Sequence, residues 1–156
     1  MKKILTLLLL IPSLSWGADF EKGSTAYSQG DYATAIKEWR PLAEQGNASV
    51  QFYLGIMYNK GKGVLQNYQT SVKWFTLAAE QRNASAQFNL GVMYANGNGV
   101  IQDNIYAHMW WNIAASSGNS KAAENRTIVE ENMTTADISK AQELARQCVN
   151  KNYKDC

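Results

Sequence analysis

One stretch of this chain occurs twice in succession. Asn47 to Arg82 and Asn83 to Gly118 align without a gap at a period of 36 residues, and sixteen of the 36 positions are identical. The shared set includes Gln51/Gln87, Phe52/Phe88, Leu54/Leu90, Gly55/Gly91, Met57/Met93, Tyr58/Tyr94, Trp74/Trp110 and the alanine pairs Ala78-Ala79 and Ala114-Ala115. A unit this short cannot enclose its own apolar side. It must stack on its neighbours, which makes the chain an array of similar units with different ends.

Each copy reads as helix, glycine turn, helix. Ala48, Phe52, Gly55 and Tyr58 fall along one side of a helix with 3.6 residues per turn. Gly61 and Gly63, and Gly97 and Gly99, follow where the chain needs positive φ to stop the helix and turn. Asn67 and Asp103 supply N-caps for the second helices, in which Val72, Phe75 and Ala79 share a side. Gly55 and Gly91 sit inside the first helices at a cost of about 1 kcal/mol each relative to Ala. Their recurrence implies a neighbour too close for a side chain. Trp74 and Trp110, with Phe75 and Trp111 beside them, are expected to be packing residues.

Shortened units flank the pair. Residues 19–46 match the repeat with eight residues removed, assigned to the loop, where Gly30-Asp31 replaces the glycine-rich insertion. Trp39, Phe75 and Trp111 keep the 36-residue register, and Pro41 falls inside the second helix, where it removes a donor and should kink it. Residues 119–156 read as a C-terminal capping helix pair, Ser120 to Asn132 and then a helix opened by a Thr134-x-x-Asp137 capping box and running to about Val149. The expectation is all-α: eight helices in four pairs.

These residues carry a resemblance. Leu54-Gly55-Ile56-Met57-Tyr58 followed by Gly61-Lys62-Gly63-Val64, and Trp74 through Gln81, resemble the Sel-one-like repeat (SLR), a relative of the tetratricopeptide repeat. Gly30-Asp31-Tyr32-Ala33-Thr34-Ala35 is closer to the ordinary tetratricopeptide version. The resemblance covers nearly all of residues 19–156. It implies a right-handed α/α solenoid and a role as adaptor or scaffold, often in envelope assembly, signalling or host contact. Two departures matter. Arg82 replaces the glycine that ends the other units at Gly46 and Gly118, implying a stiffer or differently angled connection. Ser71 stands where the other units have Ala35 and Ala107, tolerable if its hydroxyl bonds back into its own helix.

The first eighteen residues differ in kind. Lys2 and Lys3 precede the apolar run Ile4 to Ile11, and small residues follow around Gly17 and Ala18. This is the pattern of a secretory leader over 1–18, too short to span a bilayer. It implies a periplasmic or secreted protein without stable membrane insertion. Removing Lys2 and Lys3 leaves thirteen basic against thirteen acidic side chains. That balance lacks the basic footprint of nucleic-acid binding. Cys148 and Cys156 are the only cysteines, without a C-x-x-C spacing, and in an exported chain they read as a structural disulfide.

Catalytic patterns are not found. His108 is the only histidine and replaces Val72 of the first copy, which suits a packing or surface role. Glu130-Glu131 read as a solvated face, and no cofactor or metal motif occurs. Some SLR relatives are described as penicillin-binding or β-lactamase-like, but no serine here has a lysine three residues later. The expected function is a non-catalytic module, most simply a monomer, that binds another protein or an envelope component. The alternatives are such a hydrolase and a self-assembling structural subunit.

The two copies also point to a surface. Positions identical in both are held by the fold, and those that differ are free to serve a partner. Val50/Ala86, Tyr53/Asn89, Ile56/Val92 and Lys60/Asn96 lie on the arc opposite Leu54, Gly55 and Tyr58. First helices of such solenoids line the concave wall, so Tyr53, Lys60, Asn89 and Asn96 are the candidate contacts, with Tyr53 as anchor.

Overall fold

The computed structural model describes residues 19–156; the leader expected over 1–18 lies outside the described residues. Eight helices and no strand occur among the described residues. They are α1 (Phe20–Ser28), α2 (Tyr32–Glu44), α3 (Ala48–Lys60), α4 (Tyr68–Ala79), α5 (Ala84–Asn96), α6 (Asn104–Ser116), α7 (Ser120–Glu130) and α8 (Thr135–Asn150). Each starts on a polar residue whose side chain accepts from a backbone N–H of the first turn: Asp19, Asp31, Asn47, Asn67, Asn83, Asp103, Asn119 and Thr134. Asp137 completes the capping box at Thr134. Pro41 lies within α2, which continues to Glu44.

The helices form an all-α repeat solenoid in which α1–α2, α3–α4 and α5–α6 are the pairs. The helical glycine in each pair seats an aromatic ring from its own partner helix. A Cβ on Gly23 would collide with the Trp39 ring, one on Gly55 would lie 2.5 Å from Phe75 Cδ1, and one on Gly91 would collide with Trp111. The close neighbour is therefore the second helix of the same repeat. Where the ring is indole it also donates to a carbonyl one turn before the glycine: Trp39 Nε1 to Phe20 O at 3.2 Å, and Trp111 Nε1 to Phe88 O at 3.1 Å. Aligning Gly23 with Gly55 also corrects the first unit. The loop accounts for only half of the missing eight residues, because α1 itself lacks the first turn present in α3.

Two contacts recur between successive repeats. Gln51 Nε2 donates to Ala43 O at 2.9 Å, and Gln87 Nε2 to Ala79 O at 3.2 Å, each buried between one repeat's first helix and the previous second helix. The glycine turn then leans on the start of that same preceding helix. Gly63 (φ 70°) lies against Tyr32, and a Cβ on Gly99 (φ 74°) would lie 2.5 Å from the backbone carbonyl carbon of Tyr68. Gly here answers both the left-handed backbone and the close approach. Gly61 and Gly97 are the left-handed C-caps of α3 and α5.

The C-terminal region departs from the expected pairing. α7 and α8 scarcely touch each other; each packs on α6. α7 takes the place of a first helix, with Ala122 and Val129 buried, but Thr127 stands where Gly91 stands in α5. Thr127 is exposed, and no helix covers that side of α7 as α6 covers α5, where a Cβ on Gly91 would collide with the Trp111 ring. Instead α8 buries Ala141, Ala145 and Cys148, the last two in the cluster of Phe75, Met93, Met109 and Trp110.

Two readings of the departures are corrected. Arg82 keeps the left-handed conformation of the glycines it replaces, with φ 65° beside 97° at Gly46 and 90° at Gly118. The connection is thus conserved, at the strain a side chain brings to that region. Ser71 does not bond into its own helix; its Oγ donates to Gly55 O on α3 at 2.8 Å. Trp110 is buried as expected at 3% exposure, whereas Trp74 is only half-buried, packing against the N-terminal cluster around Trp39.

Candidate functional site

The four candidate contact residues fall into two groups. Tyr53 on α3 is half-buried in an aromatic cluster, its ring centroid 5.0 Å from Trp39, 5.6 Å from Tyr27 and 5.4 Å from Phe52. Asn89 on α5 is half-buried and donates Nδ2 to Ser85 O at 2.7 Å. Lys60 and Asn96 are exposed at the last positions of α3 and α5. The arc assigned to the open side is largely packed: Val50 and Ala86 are fully buried, and Ile56 and Val92 lie against cores of the following helices. α3 is covered by its own partner α4 and by α2 and α5 of the adjacent repeats, so both of its arcs are used.

The glycine turns carry the more prominent exposed groups. Leu65 and Ile101, one period apart, are 91% and 89% exposed. Between the turn and the N-terminal repeat, Lys62 Nζ lies 4.9 Å from the Tyr32 ring centre and 5.4 Å from that of Tyr27. Hydrogen bonding to Tyr32 holds its pKa above the ordinary lysine value despite some desolvation. Lys62 differs from Asn98 of the second copy as Lys60 differs from Asn96, but it lies in the turn beyond the first helix and was not a candidate from sequence.

His108 packs inside the fold, and its partner Glu130 departs from the solvated face expected of it. His108 is fully buried on α6, and its Nε2 lies 2.7 Å from a carboxylate oxygen of Glu130 on α7. A carboxylate accepts only, so Nε2 carries the hydrogen and donates. Glu130 also receives Arg126 at 3.8 Å, and Arg126 Nη1 donates to Asn112 Oδ1 at 2.8 Å. Among the described residues nothing pairs with His108 Nδ1. His108 is therefore the buried end of an α6–α7 clamp, and Glu130, half-buried, closes it from the solvent side instead of belonging to a free acidic face. The helix pattern gave no hint of it, because the partners lie on different helices 22 residues apart.

The tail forms a second clamp. A Cys148–Cys156 disulfide closes a turn in which Asn152, Tyr153 and Asp155 take positive φ. Lys154 Nζ pairs with Glu80 at 2.7 Å, and the Arg82 guanidinium lies 5.1 Å from the centre of the Tyr153 ring. The tail is thereby fastened to the end of α4. Among the described residues no group of three His, Cys, Asp or Glu side chains could hold a metal ion, and no helix is long and apolar enough to cross a membrane.

Comparison with known proteins agrees with this architecture. The Sel1 repeat family model matches residues 48–83 and 84–119. The fold is similar to the crystal structure of a protective antigen present in uropathogenic Escherichia coli strains, which displays an SLR fold. The TM-score is 0.79 at 29% identity, covering 84% of this chain and 30% of that one. A Sel1 repeat protein from Oxalobacter formigenes is similar at a TM-score of 0.66 and 32% identity, over 69% of this chain and 44% of that one. The chain thus spans less than half the length of either. No curated protein sequence matches it.

Proposed function

We propose that this chain, built on two Sel1 repeats, is a non-catalytic interaction module that works outside the reducing cytoplasm and binds another protein or an envelope component. The observation that carries the reading is the division of labour within the repeat. Positions shared by the two copies seat rings, bond to the preceding repeat or cap helices, whereas Lys60/Asn96 and Leu65/Ile101 vary and face solvent. A rigid frame that repeats a variable exposed position is suited to recognition. The disulfide supports export, since such bonds persist in oxidising compartments.

Contacts at Lys60 and Asn96 are tested by placing a photo-crosslinking residue at each in the producing cell and identifying the adduct. A single partner, whose affinity falls when Lys60 and Asn96 are both changed to Ala, is the expected result. Adducts only with copies of the chain would replace this reading with self-assembly. Turnover of a chromogenic β-lactam by the purified chain, above a denatured control, would overturn the non-catalytic reading.

A further inference from the structure

Tyr32, Tyr68 and Asn104 open α2, α4 and α6 at the 36-residue spacing. On the first two, the following repeat lays its glycine turn: Gly63 against Tyr32 and Gly99 against Tyr68. The valine after each glycine also packs inward, Val64 against the cluster of Trp39 and Val100 against that of Phe75. The third helix start has no such turn. After α7 the chain passes through Met133 into α8, which leaves on the other side of α6. In its place is an open cleft of about 550 Å³, bounded by Gln102, Asn104, Trp111, Ile128 and Asn132. Ile128 is 59% exposed, whereas its counterpart Val92 is packed.

We propose that this cleft docks a Gly-x-Gly-aliphatic turn presented by a different polypeptide chain. The two filled seats show what the third accepts. Their backbone approach excludes a Cβ at the second glycine, and the aliphatic residue after it joins an aromatic cluster, here that of Trp111. The occupant is not a second copy, because the chain has this pattern only at 61–63 and 97–99 and both turns are already seated at home. It is not an aromatic-bearing helix either, since Thr127 stands on α7 at the position where Gly91 leaves room for a ring on α5. The proposal rests on the preceding section only in taking the chain to bind polypeptides, and it uses a surface separate from Lys60 and Asn96.

The test is an NMR titration of the 15N-labelled, disulfide-bonded chain with a cyclic peptide carrying the Asn96–Asp103 turn sequence. Shifts should centre on the amides of Asn104, Ile128 and Asn132 and on the Trp111 indole. A peptide with alanine for the second glycine should bind at least about tenfold more weakly, equivalent to about 1.4 kcal/mol. Ile128→Asp in the chain should weaken the parent peptide similarly; if that change unravels α7, Asn104→Trp blocks the same cleft from α6. No cleft shifts at peptide concentrations on the order of 5 mM, where millimolar affinity would be visible, would overturn the proposal. So would equal binding of the alanine peptide. Shifts centred on Lys60 and Asn96 would overturn it too, while leaving the proposed interaction role standing.

Discussion

The two full repeats share a backbone plan and solve its demands with different side chains. The ring over the helical glycine is Phe75 in the first and Trp111 in the second, and only the indole donates to the carbonyl beneath it. Where the first repeat has Ser71 bonded to Gly55 O, the second has buried Ala107. Gln51 and Gln87 bond alike to the preceding repeat, but the first has Gln81 to donate to its carbonyl oxygen. The second has Ser117 at that position, and Gln87 Oε1 finds no donor among the described residues. The repeat thus specifies places to be filled and close approaches to be respected. It does not specify one chemistry for filling them.

The largest contrast is expected at the tryptophan the two copies share. Trp110 is buried in the central cluster and Trp74 is half-buried at the same repeat position. Trp110→Ala should cost ~3–5 kcal/mol, enough to threaten the fold, and Trp74→Ala clearly less. Chemical denaturation of both variants measures the difference. Equal losses would show that position in the repeat, not local burial, sets the energy.

The helical glycines give a smaller, directional contrast. Alanine gains about 1 kcal/mol of helix propensity, but displacing the overlying ring costs ~1–3 kcal/mol. In the second repeat the Trp111 hydrogen bond is lost as well, a further contribution of about 1 kcal/mol. Gly91→Ala should therefore lower the melting temperature more than Gly55→Ala. The reverse order would break the claim that the indole anchors the second repeat more firmly.

The smallest effect is expected at the junction. Arg82→Gly relieves a left-handed side-chain residue worth roughly 1 kcal/mol of strain, and it removes the stacking on Tyr153, worth about 0.5–1 kcal/mol at an exposed site. The variant should stay within about 0.5 kcal/mol of the parent, a balance of those two estimates. Hydrogen exchange should nevertheless quicken in residues 152–156. A tail unchanged in exchange would mean that Lys154–Glu80 and the disulfide hold it without Arg82.

Much of this architecture was legible in the residues. The 36-residue identity, the polar N-caps and the Gly61/Gly63 and Gly97/Gly99 turns are local signals, set by backbone sterics and by the unsatisfied donors of a helix start. The candidate contacts were less legible. A helical wheel shows which residues share a face, but it does not count how many neighbours cover the helix. Val50 and Ala86 lay on the supposedly open arc and are fully buried. His108 and Glu130 were read separately because their pairing joins two helices.

By itself, the sequence determined that the chain is helical, where its helices start and turn, and that its units must stack. Those properties follow from short-range geometry and from the inability of one repeat to bury its apolar side. Only the tertiary structure decided which ring lies over each glycine, that Arg82 keeps a glycine's backbone, that α8 crosses to α6 instead of pairing with α7, and that the seat at Asn104 is open. Most of these depend on the approach of groups far apart in the chain, as where a single Cβ on Gly91 would collide with the Trp111 ring.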